Sequence, residues 1–432
     1  MNEARIIRAD RTQARFDVFD LEALLPHDHK ARVVWAFVEG LEIGSLYESI
    51  KSREGAAGRP AADPRVLLAL WIYATIEGVG SARQLERLAE REVAFRWLAG
   101  GVAVNYHGLA DFRVDHVEVL DRLLTQSVTA LVSEGLVSLR DIAVDGTKIR
   151  ANASRSSFKR RKTLRGIEAA VGERLAMLKK ELKDDPASSA RRERAAKERA
   201  AREVQERARQ AIEVVERLAG ERKAREQTHK SDEAKKSEPK ASLSDPEARQ
   251  MRFADGAVRP GYNAQIAAAP VEGVIVAIEV TDRRNDAGLA EPMINEIVRR
   301  YGAAPDNLLV DTGYATADDI ESLFQHPAGP VTVFTPVPAT SDDVKPETLR
   351  RREAKLDREP ECLKAWRERM ASPQGQAAYA KRKQIERINA ERKNRGFGFL
   401  AVRGLIKAQA VALLHAIAHN FTAGQRLRAH AA

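Results

Sequence analysis

Four residues in the segment YAKRKQIERINAERK are spaced Tyr-x2-Arg-x3-Glu-x6-Lys: Tyr379, Arg382, Glu386 and Lys393. At helical spacing Arg382 stands four residues before Glu386 and Tyr379 seven before it, so all three share a face. Read alone, the Arg–Glu pair is equally well a routine surface salt bridge worth a few tenths of a kcal/mol. Two acids far upstream follow apolar, β-like runs and give a second reading: Asp145 in LRDIAVDGTK and Asp311 in NLLVDTGY. Each is expected to close a strand, at the mouth of a sheet where α/β proteins place sites. A turn-forming Asp is the alternative for either one. Three carboxylates suit a hard cation such as Mg²⁺ or Mn²⁺ and do not suit zinc. Two such ions ~3.5–4 Å apart can clamp a phosphodiester for in-line attack. Beside such a site Arg382 offers bidentate phosphate contacts and Lys393 a point charge.

Other chemistries find less support. The one cysteine, Cys362, excludes an intramolecular disulfide and reads as a small, half-buried residue beside Trp366. His415 and His419 are four apart but lack the H-E-x-x-H pattern, and read as packing or capping residues near a helix C-terminus. The net charge is +10, from 72 Lys and Arg against 62 Asp and Glu, which favours a nucleic acid or another anionic partner. No stretch approaches the ~18 apolar residues of a membrane span, and the charged N-terminus has no signal-peptide core. A soluble, cytoplasmic protein is expected, without a membrane or small-molecule partner.

Residues 1–135 read as helical. Asp63-Pro64 starts a core helix, Gly78 and Gly80 break it, and Ser81 with Gln84 forms a capping-box pattern for the next. That helix–turn–helix arrangement fits a DNA-reading motif and an ordinary antiparallel pair equally. From Leu136 the pattern changes to a strand, a hairpin across Val271-Glu-Gly273, then alternating helices and strands, with Thr316 capping one helix. The order implies a mixed sheet with helices packed on it. Between the first strand and the hairpin lies an insertion opening with the basic cluster 159–162. Apolar residues recur at helical spacing through Ile167, Val171, Leu175, Leu178 and Leu182, then through Val204, Ala208, Ile212, Val215 and Leu218, with a break at Asp185-Pro186. This predicts an antiparallel helical hairpin or coiled coil, and the polar run HKSDEAKKSEPKASLSDPE after it a flexible linker.

These three segments together resemble bacterial insertion-sequence transposases of the DDE type. GRPAADPRVLLALWIYATIEGVGSARQLERLAERE and VNYHGLADFR resemble the helical N-terminal domain of such proteins. The resemblance implies an α/β, RNase H-like mixed sheet flanked by helices, with an all-α N-terminal domain and the helical insertion. The expected boundaries are 1–135 for the DNA-binding helices, 136–158 for the first strand segment, 159–247 for the insertion and linker, and 248–432 for the rest of the catalytic domain. By the same resemblance Asp145, Asp311 and Glu386 are the catalytic, metal-binding triad, with two Mg²⁺ that Mn²⁺ can replace. Tyr379, Arg382 and Lys393 contact DNA, and a homodimer forms on double-stranded DNA to cleave element ends and join them to a target. A catalytically silent DNA-binding descendant and a nuclease without strand transfer are the alternatives.

Overall fold

The computed structural model describes residues 20–50, 60–184, 188–228, 238–338 and 359–431. Helices come first: α1 (Lys30–Glu39), α2 (Gly44–Glu48), α3 (Pro64–Ile76), α4 (Ala82–Arg91), α5 (Val93–Ala99), α6 (Tyr106–Asp115) and α7 (Val117–Ser133). The Asp63 carboxylate accepts from Arg65 N at 2.8 Å and caps α3, with Pro64 as its first residue. Every residue from Val66 to Ile76 is buried, as the apolar run predicts for a core helix. Ser81 caps α4 by accepting from Gln84 N, which is one half of the expected capping box. The complete, reciprocal box forms between Thr316 and Asp319 instead.

The chain then enters β1 (Asp141–Arg150), β2 (Phe158–Arg160), α8 (Arg161–Asp184), α9 (Ser188–Thr228), β3 (Lys240–Ser242), β4 (Arg249–Arg252), β5 (Val258–Ala269) and β6 (Val274–Thr281). It continues through α10 (Ala290–Tyr301), β7 (Asn307–Leu309), α11 (Ala317–Phe324), β8 (Thr332–Phe334), α12 (Glu361–Ala371), α13 (Pro373–Ala380) and α14 (Lys383–Arg392). A π-helical turn, Lys393–Phe397, and α15 (Leu405–Ala431) follow. The main sheet runs β6-β5-β1-β7-β8, with β4 pairing the start of β5 on the side of β6. β6, β5 and β1 are antiparallel, and β1, β7 and β8 are parallel. This is a mixed α/β fold with a helical N-terminus, consistent with an RNase H-like catalytic domain.

Three expectations need correcting. Asp145 does not close a strand: β1 continues to Arg150, held by antiparallel pairing with β5 out to Arg150–Gly261. Asp145-Gly146 therefore makes no turn. The polar run after the insertion is not a linker throughout: Lys240–Ser242 pairs with β2, and Asp245 is buried and accepts from Tyr262 Oη at 2.7 Å. Burying that carboxylate requires such a donor. His415 and His419 lie in the middle of α15, not near its end. The expected break at Asp185-Pro186 lies outside the described residues, as does most of the first half of the polar run.

α8 and α9 form the expected antiparallel hairpin, with Arg209 to Glu168 at 2.9 Å and Arg161 to Glu216 at 2.7 Å in register. Leu175, Leu178, Ala208 and Val215 are buried, and Ala211 packs with Leu164 and with Ala241 of β3. The hairpin also reaches the sheet: Asp282, just past β6, accepts from Arg217 of α9 at 2.6 Å and from buried Arg249 of β4 at 2.7 Å. Leu182 is among the side chains outside the described set.

α15 binds the bundle to the sheet. It packs on α3, α6 and α7 on one side and on β6 on the other. Strand β6 is an edge, and its outward backbone groups would be orphaned without partners. Asn420 pairs both backbone groups of Ile275, Gln409 bonds Val280 N and Ile278 O, and His419 Nε2 meets Gly273 O at 2.7 Å. One continuous hydrophobic cluster consequently runs from the N-terminal helices into the sheet.

Candidate active site

Ala143 of β1 lies opposite Leu309 of β7 in parallel register. Asp145 and Asp311 each stand two residues further along. Neighbouring strands are separated by roughly 4.8 Å, so the two acids leave adjacent chains at the same level. Asp145 is held mid-strand, while Asp311 lies just past β7, where its carboxylate accepts from Thr312 N at 2.8 Å.

The third acid arrives on a helix. Ile385 and Ile388 are buried and fix α14 against β1 and β5, leaving Glu386 on the exposed side. The segment from Tyr379 to Lys393 is not one helix: Tyr379 lies in the last turn of α13, Lys381 and Arg382 form a turn, Glu386 rides on α14, and Lys393 opens the π-helical turn. Arg382 keeps αR backbone angles, so the expected contact with Glu386 survives the break. Arg382 Nη1 donates to Glu386 Oε1 at 2.8 Å. Its Nη2 donates to Asp145 Oδ1 at 3.0 Å and lies 3.9 Å from Asp311 Oδ2. A single guanidinium thus touches or faces all three acids.

That guanidinium is buried. The side chain of Arg382 is 10% exposed, against 58% for Glu386. Burial works against its charge, but Asp145 and the neighbouring Tyr379, Asp311 and Glu386 outweigh it and hold its pKa above the ordinary value. Burial raises the pKa of Asp145, against the lowering effects of Arg382 and Asn389. Tyr379 is half-buried beside Arg382, and burial raises its phenol. Lys393 is reached by solvent, yet the surrounding protein lowers its pKa, opposed by the charge of Asp145. Trp366 is buried, with its Nε1 donating to Thr335 O at 2.9 Å.

Several site residues carry no sequence signal. Asn389, one turn after Glu386, donates to Asp145 Oδ2 at 2.7 Å. Asp286 lies over Gly146 and accepts from Asn263 at 2.6 Å, Gln265 at 2.9 Å and Lys148 at 3.4 Å. Tyr314 Oη donates to Gln265 Oε1 at 2.5 Å and closes this network under the acids. Asn263 and Gln265 sit in an Ala-rich strand, where only their alternation could have marked them.

Whether these residues fit a divalent cation can be read from their donors. The three carboxylates supply oxygen ligands of the kind Mg²⁺ and Mn²⁺ prefer. Arg382 Nε and Asn389 Oδ1 are buried beside them without hydrogen-bond partners, so the polar site is not saturated by the protein alone. Among the described residues no three His, Cys, Asp or Glu side chains are drawn together closely enough to hold one ion. The Arg382 guanidinium stands between the acids, bonded to Glu386 and Asp145 and facing Asp311. By donor type the three carboxylates suit such an ion, while Arg382 holds the central place among them.

Residues 228–421 match the Transposase DDE domain, and residues 19–115 match the Transposase domain (DUF772). Asp311 and Glu386 lie inside the first match, while Asp145 falls between the two, on a strand separated from its partner β5 by the hairpin insertion. No curated protein and no solved structure matches the chain. Two transposase domains in one chain, over a mixed α/β sheet with a helical N-terminus, carry the assignment: the chain belongs to the insertion-sequence transposases of the DDE type.

Proposed function

We propose that the protein binds the terminal inverted repeats of its own mobile element, cleaves DNA there and joins the freed strands to target DNA. The observation that carries this reading is the convergence of Asp145, Asp311 and Glu386 on one buried guanidinium. Acids from β1, from the segment just past β7 and from α14 would not gather there to build a surface salt bridge.

In this reading Asp145, Asp311 and Glu386 hold Mg²⁺ or Mn²⁺. Bound there, the metal supplies a more acidic attacking hydroxyl and charge neutralisation at the phosphodiester. Asn389 fixes the orientation of the Asp145 carboxylate. Lys393, just past α14, and Tyr379, in α13 before it, flank the acids and bind phosphates on both sides of the scissile bond. Arg382 joins them when it faces the DNA. The N-terminal helices and the basic surfaces, including exposed Arg83, Arg87 and Arg91 of α4, engage the repeat. Two ends must be held together during cutting, so a dimer assembles on DNA.

Purified protein with terminal-repeat DNA and Mg²⁺ should nick the element end and then join it to a second duplex. Intact activity in Asp145→Asn, Asp311→Asn and Glu386→Gln would remove the assignment of the acids. Nicking without joining would leave a nuclease in place of a transposase, and binding without either a silent descendant.

A further inference from the structure

Arg382 occupies an unusual place for a phosphate-binding arginine. It is 8% exposed, and its two terminal nitrogens are committed to Glu386 on its own segment and to Asp145 on β1. Asp311, past β7, faces the same Nη2 at 3.9 Å. An ordinary i,i+4 pair would end at Glu386. Three carboxylates on separate elements repel one another at this range unless a cation lies among them. The residue itself sits in the two-residue turn between α13 and α14. Its Nε is buried without a partner, so the guanidinium is held through its Nη atoms alone.

We infer that Arg382 is a positioning residue that stands in for the divalent cation: it assembles the three acids in the ion-free protein and yields its place when the ion enters. The inference rests on the metal-binding reading above. Displaced from the acids, the guanidinium swings toward solvent, where the DNA phosphates of that reading lie. The arrangement limits metal affinity before DNA arrives. A site whose competent state is populated only a fraction of the time binds more weakly by that fraction. If the guanidinium is engaged about nine-tenths of the time, removing it tightens ion binding about tenfold.

The test is a Mn²⁺ titration of the full chain without DNA, following the free-ion signal by electron paramagnetic resonance, alongside thermal unfolding. Arg382→Gln is expected to bind Mn²⁺ about tenfold more tightly than the wild type. It should also melt lower than the wild type without the ion and recover when the ion is added. Arg382→Lys keeps the charge but presents one point donor, and serves if the Gln variant does not fold: it too should bind Mn²⁺ more tightly. Affinity unchanged or weakened in both variants overturns the inference while leaving the metal site intact. If the wild type binds no Mn²⁺, or Asp145→Asn binds it equally well, the metal reading itself fails and this inference with it.

Discussion

Arg382 Nη2 lies 3.0 Å from Asp145 Oδ1 on the buried side of the site, whereas the partner of Nη1, Glu386, stands largely in solvent. The two acids should therefore separate stability from activity. Asp145→Ala strips a buried guanidinium and the Asn389 amide of their acceptor, and should cost about 3–5 kcal/mol. Glu386→Ala removes an exposed partner and should cost less than about 1 kcal/mol. Both should abolish DNA cleavage. Urea denaturation and a nicking assay on the same preparations check this, and equal stability losses would contradict the burial asymmetry.

Asn389 donates to Asp145 Oδ2 at 2.7 Å from the helix that carries Glu386. Fixing a ligand carboxylate in this way is typically worth about 10–100-fold in metal affinity or activity. Asn389→Ala should lose that much cleavage rate at limiting Mn²⁺ and recover part of it as Mn²⁺ is raised. A loss independent of Mn²⁺ concentration would show that Asn389 does not act through Asp145.

Gly146 has an ordinary backbone conformation, so its requirement for glycine is spatial. A Cβ there would fall 2.3 Å from Asp286 Oδ1 and 2.8 Å from Gln265 Nε2. Gly146→Ala should push Asp286 off the strand, destabilise by about 1–3 kcal/mol and displace the neighbouring Asp145. Gly313, two residues past Asp311, has nothing within 4 Å of such an atom. Gly313→Ala is the control, and should stay within about 0.5 kcal/mol of the wild type. Thermal melts of the two variants decide the matter.

The mid-helix histidines make stability depend on pH. Burial, reinforced by the positive charge of Arg392, lowers His415 to about 3 and His419 to about 4, from an ordinary 6.5. Both stay neutral in the folded protein while the unfolded chain takes up protons below pH 6.5. Their contribution is thus complete above that pH and is lost as pH falls toward the folded values, by up to about 1.4 kcal/mol per pH unit for each. His415→Leu should remove one proton from the slope of unfolding free energy between roughly pH 6 and 4.5. An unchanged slope would mean that His415 is solvated.

The legible and illegible parts of this chain differ for physical reasons. Asp63-Pro64 and Thr316 announce their helices because caps depend on nearby residues, and the hairpin at Gly273 follows from two apolar runs on either side of a short Gly-containing turn. The spacing of Arg382 and Glu386 survives because αR geometry persists through the turn between α13 and α14. Asp145-Gly146, by contrast, reads as a turn locally, and only the eight-residue register with β5 keeps it extended. Asn389, Asp286 and Gln265 were invisible because their roles are set by tertiary partners. The direction of Arg382 was equally hidden: spacing gives its neighbour on the helix but not the two acids on the sheet.

The base of the insertion has a consequence for how the chain assembles. β1 and β5 are adjacent, yet more than a hundred residues separate them, and closing so long a loop delays productive folding. The antiparallel pairing of Phe158 with Ser242 and of Arg160 with Lys240 ties the two ends of that excursion together. α8 and α9 fill it with contacts that form early because they are mostly local. Once the hairpin has zipped, β5 emerges a short distance from β1, and the effective loop shrinks to the residues flanking the tie. During synthesis the first acid would wait on its strand while the hairpin, a self-contained detour, delivers the next strand to its side.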